Sequence, residues 1–401
     1  MTDRRLLLVT RSLRLFAYGG LSVVLVFYLT ALGFTTSQIG LLLTLTLVGD
    51  TVVSLVLTTR ADRLGRRRML VIGALLMAAA GILFAVTSNF LILLLAATIG
   101  VISPSGNEVG PFLPIEQAAL AHVVPPAQRT SVFAWYTLAG AFATAGGSLG
   151  VGALLLWLRA IEPSELRSYQ IVVLLYAAAG LLLAVLFVRL SRSVEVVDVD
   201  RTSLFGLDRS RAIVLKLAGL FAIDSFAGGF VVQSFAAYWF YLRFGVTPAT
   251  LGVIFFGANV LAGLSALLAS RLAARFGLVE TMVFTHLPSN VLLILVPLMP
   301  TLPLAVLVLF ARFSISQMDV PTRQSYLMAV VSPQERSAAA GVTGVARTTG
   351  AAVAPAFAGM LFARPDLINA PFYIAGVLKI VYDVLVYRGF VKVRAAEEER
   401  V

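Results

Sequence analysis

Apolar residues run in unbroken stretches of about twenty along most of this chain, divided by short clusters of charge or of glycine, serine and threonine. A continuous stretch of that length reads as a helix long enough to cross a hydrocarbon core about 30 Å thick. The strict alternation of polar and apolar positions that a membrane barrel requires is missing, so the pattern selects helices. Twelve are predicted, over about 14–32, 39–59, 69–86, 89–122, 131–158, 169–190, 212–241, 248–270, 280–299, 302–331, 338–363 and 369–390. The fourth is anomalous: from Asn89 to His122 it would extend roughly 50 Å if fully helical. Pro104, Pro111 and Pro114 should tilt or break it, and irregular backbone at membrane depth is tolerated only where it lines a cavity or is buried in protein.

The pattern also repeats. A shift of 207 positions lays residues 114–129 over 321–336 and matches Pro114, Gln117, Leu120, Val123, Val124, Pro126 and Arg129 to identical residues. A shift of 212 does the same for Gly33, Thr35, Gly40 and Gly65 with Gly245, Thr247, Gly252 and Gly277. The expected organisation is an all-α integral membrane protein of two pseudo-symmetric six-helix bundles, residues 1–190 and 211–401. A charged cytoplasmic linker, 191–210, joins them. Where the repeats differ most sharply, Glu116 of the first corresponds to Arg323 of the second. In the predicted fifth helix, Gly146 and Gly150 have the spacing that lets helices approach closely.

Composition narrows the class. The chain is 59% hydrophobic and only 13% charged, too little charge for a water-soluble surface. Its net charge of +11 would suit nucleic acid, but the placement argues otherwise. With both termini cytoplasmic, Arg159, Arg167, Arg243 and Arg364 fall outside and Arg312, Arg323, Arg347 and Lys379 within helices. The remaining basic residues lie at the cytoplasmic side. That is the positive-inside bias of a multi-pass protein of the cell (inner) membrane. The first helix, lacking a small-residue cleavage pattern, is expected to remain as a span. There is no cysteine and there are two separated histidines, His122 and His286, so no metal site is expected. No GxxxxGK[ST] loop occurs, which removes nucleotide-driven pumping. No enzymatic activity and no cofactor is expected.

The loop Asp62-Arg-Leu-Gly-Arg-Arg-Arg68 resembles the signature between helices 2 and 3 of the major facilitator superfamily, with Thr58 in place of its first glycine. A degraded copy, 271–277, stands at the matching place in the second half, with Ala274 where the aspartate would be. The resemblance covers nearly the whole chain. It implies a carrier with alternating access, its cavity lined by helices 1, 4, 7 and 10, and a cytoplasmic latch of Asp62, Arg63, Gly65 and Arg66. Arg129 and Arg336, which close the two repeats, are assigned to the same latch. The marks of drug/proton antiporters are weaker: the fourth helix lacks their arginine and the fifth lacks their Gly-Pro pair.

Charges inside spans carry the functional reading, because a charge facing lipid costs about 2.5–3.5 kcal/mol even on the lenient insertion scale. Arg312, Ser316, Asp319 and Arg323 lie within about 40° of the Arg312 direction on a helical wheel, a polar stripe that should face water. Asn107, Glu108 and Glu116 on helix 4 and Asp224 on helix 7 join this expected substrate and proton path. Glu108 is the candidate carrier of the coupling proton, and Arg323 is expected to alternate between Glu116 and Asp319. Asp50 and Arg347 are expected to pair between the two halves, and Lys379 with Asp383 as a local pair on helix 12. The reading is a monomeric, proton-coupled secondary transporter of a small molecule, with export favoured. Proton-coupled uptake of an organic anion is the alternative, and a non-transporting receptor or assembly factor the remote one.

Overall fold

The computed structural model describes residues 2–108, 110–124, 126–162, 164–195, 210–331 and 335–391. Most of the expected linker therefore lies outside the described residues. Among them are fifteen α-helices and no strand. The first seven are α1 (Asp3–Ala31), α2 (Thr36–Leu64), α3 (Arg66–Val86), α4 (Phe90–Ile99), α5 (Phe112–Val123), α6 (Pro126–Ile161) and α7 (Glu165–Val188). The rest are α8 (Arg211–Gly229), α9 (Gln233–Phe244), α10 (Pro248–Phe276), α11 (Leu278–Leu295), α12 (Leu302–Phe313), α13 (Asp319–Val330), α14 (Arg336–Phe362) and α15 (Ala370–Phe390). Ten segments are long and apolar enough to cross a membrane, the α8–α9 stretch counting as one. The expected fourth and tenth spans are each broken, into α4 and α5 and into α12 and α13. The two breaks are in register, since α13 begins and ends 207 residues after α5.

The chain forms two compact units, residues 1–200 with 232–257 and residues 201–231 with 258–401. In the first, α1 is enclosed almost throughout, Tyr18–Leu29 being buried without interruption. It meets α6 at backbone distance. A methyl group on Gly147 would strike the Phe16 carbonyl, and one on Gly19 the Thr144 carbonyl. Gly146 and Gly150, the pair with the small-residue spacing, instead make room for the Phe16 ring. In the second unit the corresponding approach joins α8 and α14, where Gly350 lies against the Ala222 backbone and Gly229 against Ala351. Its core gathers Leu217 and Phe221, Met282 and Val283, Tyr326 and Leu327, and Tyr382 and Val386.

Helix α1 starts at Asp3. Residues ahead of the predicted first helix are thus helical as well, and Arg11 and Arg14 are buried in the first unit. The break between α4 and α5 shows why irregular backbone is stable here. A buried carbonyl or N–H without a partner is costly, and side chains of four neighbouring helices supply partners. Tyr176 donates to the Val101 carbonyl at 2.6 Å, Ser234 to Pro104 at 2.6 Å, Thr144 to Gly106 at 3.3 Å and Ser54 to Gly110 at 3.0 Å. The Gly110 N–H donates to the Asp50 carboxylate. In the second unit the equivalent N–H, that of Gln317, donates to Ser265 at 3.2 Å.

Candidate functional site

Each unit buries one network of charged side chains. In the first, α1 presents Thr10, Arg11 and Arg14 within little more than one turn, so all three reach the same region. Opposite them stand Glu108, in the break, and Glu116, on α5. Arg14 grips Glu116 with two parallel bonds, Nη1 to Oε1 and Nη2 to Oε2, both 2.8 Å. It also reaches Glu108, through Nη2 at 3.0 Å and Nε at 3.2 Å. Arg11 Nη1 donates to Glu108 Oε1 at 2.6 Å. Thr10 donates to Glu116 at 3.1 Å, and the Tyr136 hydroxyl donates to its other oxygen. The guanidinium planes lie over rings, Arg11 4.1 Å from Tyr136 and Arg14 4.5 Å from Phe112. Two cations and two carboxylates balance, and bidentate geometry is what lets a pair without solvent access be favourable at all.

The second unit centres on Asp224 of α8. Lys379 of α15 donates to its Oδ1 at 2.5 Å and Arg323 of α13 to its Oδ2 at 2.9 Å. Arg323 Nη1 also stands 3.5 Å from Asp319, one turn back on its own helix. Behind this group, His286 of α11 places Nε2 3.8 Å from Asp224 Oδ1 and Nδ1 2.8 Å from Asp383 Oδ1. Asn290 donates to the other Asp383 oxygen at 2.8 Å. Lys379 and Asp383 therefore do not form the expected local pair: they share a face of α15, but each turns to a stronger tertiary partner. The Nε atoms of Arg312 and Arg347 are buried without a partner among the described residues.

The two networks repeat one another with the signs reversed. In the first, cations stand on the first helix and acids on the fourth. In the second, Asp224 stands on α8 and Arg323, which corresponds to Glu116, on α13 beside Asp319, with Lys379 added from α15. At the 212-residue shift, Asp224 falls on Ser12, between Arg11 and Arg14.

The expected path residues thus divide between these clusters. Glu108 and Glu116 belong to one, and Asp224, Asp319 and Arg323 to the other. Asn107 is exposed beside the first, its carbonyl accepting from Ser103 at 2.7 Å. Asp50 serves the Gly110 N–H. Of the expected latch, the side chains of Asp62, Arg63, Arg129 and Arg336 lie outside the described residues. Gly65 has φ +103°, which only glycine adopts without strain. It precedes α3, whose first N–H groups, of Arg66 and Arg67, donate to Glu195 at 2.6 and 3.2 Å. A carboxylate at the positive end of a helix is favourable. Arg66 reaches the carbonyls of Ala118 and Val194 at 3.2 and 3.3 Å.

Sequence reasoning did not select Arg11, Arg14, His286, Lys379 or Glu195. The available signals were the three-residue spacing of Arg11 and Arg14 at the mouth of an apolar helix, and the four-residue spacing of His286 and Asn290.

Comparison with known proteins agrees with this architecture. An uncharacterized membrane protein of Saccharomyces cerevisiae is 32% identical over 426 residues, covering 98% of this chain and 95% of that protein. The quinolone resistance protein NorA of Staphylococcus aureus is 33% identical over 129 residues, 32% of this chain and 31% of its own. A bacterial homologue of the human lysosomal transporter Spinster, solved inward-facing and occupied, superposes with a TM-score of 0.78 over 98% of both chains at 17% identity. The family model described as Major Facilitator Superfamily matches residues 7–242 and 217–400. The chain, a multi-pass membrane protein by its apolar helices, belongs to the Major Facilitator Superfamily.

Proposed function

We propose that this chain is a secondary active transporter that moves a small molecule by alternating access, uses the proton gradient, and works in export. The observation that carries the reading is the pair of buried charge networks of opposite polarity, each tying the first helix of its repeat to the fourth. Charges so buried are functional by default in a membrane protein, and ties between packed helices are what an alternating carrier must make and break. The short stretch of similarity to a quinolone resistance protein supports export.

In this reading the halves are residues 1–190 and 211–401, joined by 191–210, in a monomer with both termini cytoplasmic in the cell membrane. Asn107, Glu108, Glu116, Asp224, Arg312, Asp319 and Arg323 form the path, and Asp62, Arg63, Gly65, Arg66, Arg129 and Arg336 the latch. Glu108 carries the coupling proton: parted from Arg11 in one state it binds a proton, and paired again in the other it gives the proton up. Asp50 and Arg347 pair between halves in one of the two states.

One observation favours a second reading, proton-coupled uptake of an organic anion: Arg312 and Arg347 have buried Nε atoms without partners among the described residues, and two such cations suit a carboxylate or phosphate. Purified protein in proteoliposomes with an imposed pH gradient separates the readings. Export predicts that labelled tetraphenylphosphonium accumulates against its gradient when protons flow the other way. Uptake predicts that labelled benzoate accumulates in the direction of proton flow. Accumulation of neither, across a panel of cations and anions, overturns both.

A further inference from the structure

We propose that His286 is a proton-binding site, which takes up a proton on Nε2 and so decides how Asp224 is shared between helices. The site lies on α11 and α15, outside the helices expected to line the path.

The groups facing the ring come from every element around it. Asp383 and Lys379 come from α15, with Tyr382, whose ring meets the imidazole edge to face at 5.9 Å. Asp224 comes from α8. Arg323 and Asp319 of α13 reach it through Asp224, and Arg312 and Arg347 of α12 and α14 have no ion pair within 4.0 Å among the described residues. Within the contact network, three carboxylates, Asp224, Asp319 and Asp383, face two permanent cations, Arg323 and Lys379. Arg312 and Arg347 act on Asp224 and Asp319 from beyond ion-pair distance, so the group as a whole is not short of positive charge. The titratable group in contact with two of those acids is His286, and imidazole is the side chain whose charge changes near neutral pH.

Ring geometry says which nitrogen acts. Nδ1 stands 2.8 Å from Asp383 Oδ1 and 3.1 Å from Asn290 Nδ2, and in the tautomer proposed Nδ1–H donates to the carboxylate. The lone pair of the neutral ring is then on Nε2, 3.8 Å from Asp224 Oδ1. A proton added there makes that nitrogen a donor 3.8 Å from an oxygen which Lys379 already occupies at 2.5 Å. The protonated ring competes with Lys379 for Asp224, and Asp224 is the tie between α8 and α13. Protonating the ring and loosening that tie are therefore one event.

The inference goes beyond the transport reading and is tested without a substrate. His122 and His286 are the histidines of this chain, so an His122→Gln protein labelled with 15N-histidine gives one imidazole. Solid-state spectra in liposomes at stepped pH report its protonation directly. The expected result is a change from a neutral to a doubly protonated ring as the pH is lowered. Asp383→Asn, which removes the charge facing Nδ1, should displace the midpoint, while Glu165→Gln in the other unit leaves it in place. A ring that keeps one protonation state across the range overturns the proposal, as does a midpoint unmoved by Asp383→Asn. Should gradient-driven accumulation fail in wild type while the ring titrates as described, the transport reading falls and the proton site stands.

Discussion

Replacing Arg14 by methionine removes, from a site without solvent access, the guanidinium that Glu116 and Glu108 share. Arg11 then faces two carboxylates alone. Breaking a buried pair from one side costs about 3–5 kcal/mol, because the remaining charge stays buried and uncompensated. For a chain of this length that corresponds to a fall of roughly 5–10 °C in apparent melting temperature, at about 2 °C per kcal/mol. Glu116→Gln errs in the other direction, leaving Arg11 and Arg14 against Glu108 alone. The double variant Arg14→Met with Glu116→Gln restores the balance: Arg11 and Glu108 remain, already 2.6 Å apart. It should therefore melt above the Arg14→Met protein, with a coupling free energy of about 1–3 kcal/mol in the cycle. The assay is thermal unfolding in one detergent, followed by tryptophan fluorescence and by the monodisperse fraction after heating. A double variant whose loss equals the sum of the two single losses would show that the four charges do not act as a unit, and the reasoning on this network would fail.

Glu108→Gln should abolish accumulation driven by a pH gradient while leaving exchange of the same labelled compound across liposomes; undiminished accumulation would remove Glu108 as carrier. Lys379→Met should lower the apparent melting temperature by an amount similar to Arg14→Met, since it leaves Asp224 with one permanent cation, and Lys379→Arg should recover most of the loss in the same assay. Gly147→Ala places a methyl group on the Phe16 backbone and should cost about 1–3 kcal/mol through forced separation of α1 and α6, whereas Gly341→Ala, where nothing lies within 4 Å, should be neutral or mildly stabilising on the same melting scale. Asp50→Arg and Arg347→Asp should each reduce transport and the double exchange recover part of it; a double no better than the worse single removes the pair.

Most of the architecture was legible because lipid is a demanding solvent. A helix facing it must be apolar nearly all round, and such runs stand out in the chain from end to end. The prolines of the fourth span announced its break, although not that Tyr176, Ser234, Thr144, Ser54 and Asp50 would satisfy the freed backbone. Those residues come from four helices far apart in sequence, and no local pattern marks them as partners. Arg11 and Arg14 were hidden by a coincidence of physics: arginines at a helix mouth satisfy the positive-inside bias whether they face lipid head groups or a buried carboxylate. Lys379 and Asp383 misled in the opposite way. Their four-residue spacing on one helix suggests a local pair worth only a few tenths of a kcal/mol, and the buried charges on α8 and α11 outbid it. His286 offered nothing by itself, since one histidine in an apolar helix has no partner until the fold supplies one.

The matched breaks and the reversed charges also date one another. What two copies of a unit hold in common is most simply inherited from the unit that was doubled, and what they hold with opposite sign required a later change in at least one copy. The interruption that starts α5 and α13 at equivalent positions belongs to the first category, and the exchange of Glu116 for Arg323 to the second. The ancestral unit thus owned the bent helix, and at least one copy changed its charge at this position after the doubling. Selection since the duplication has worked on which ions occupy an inherited bend.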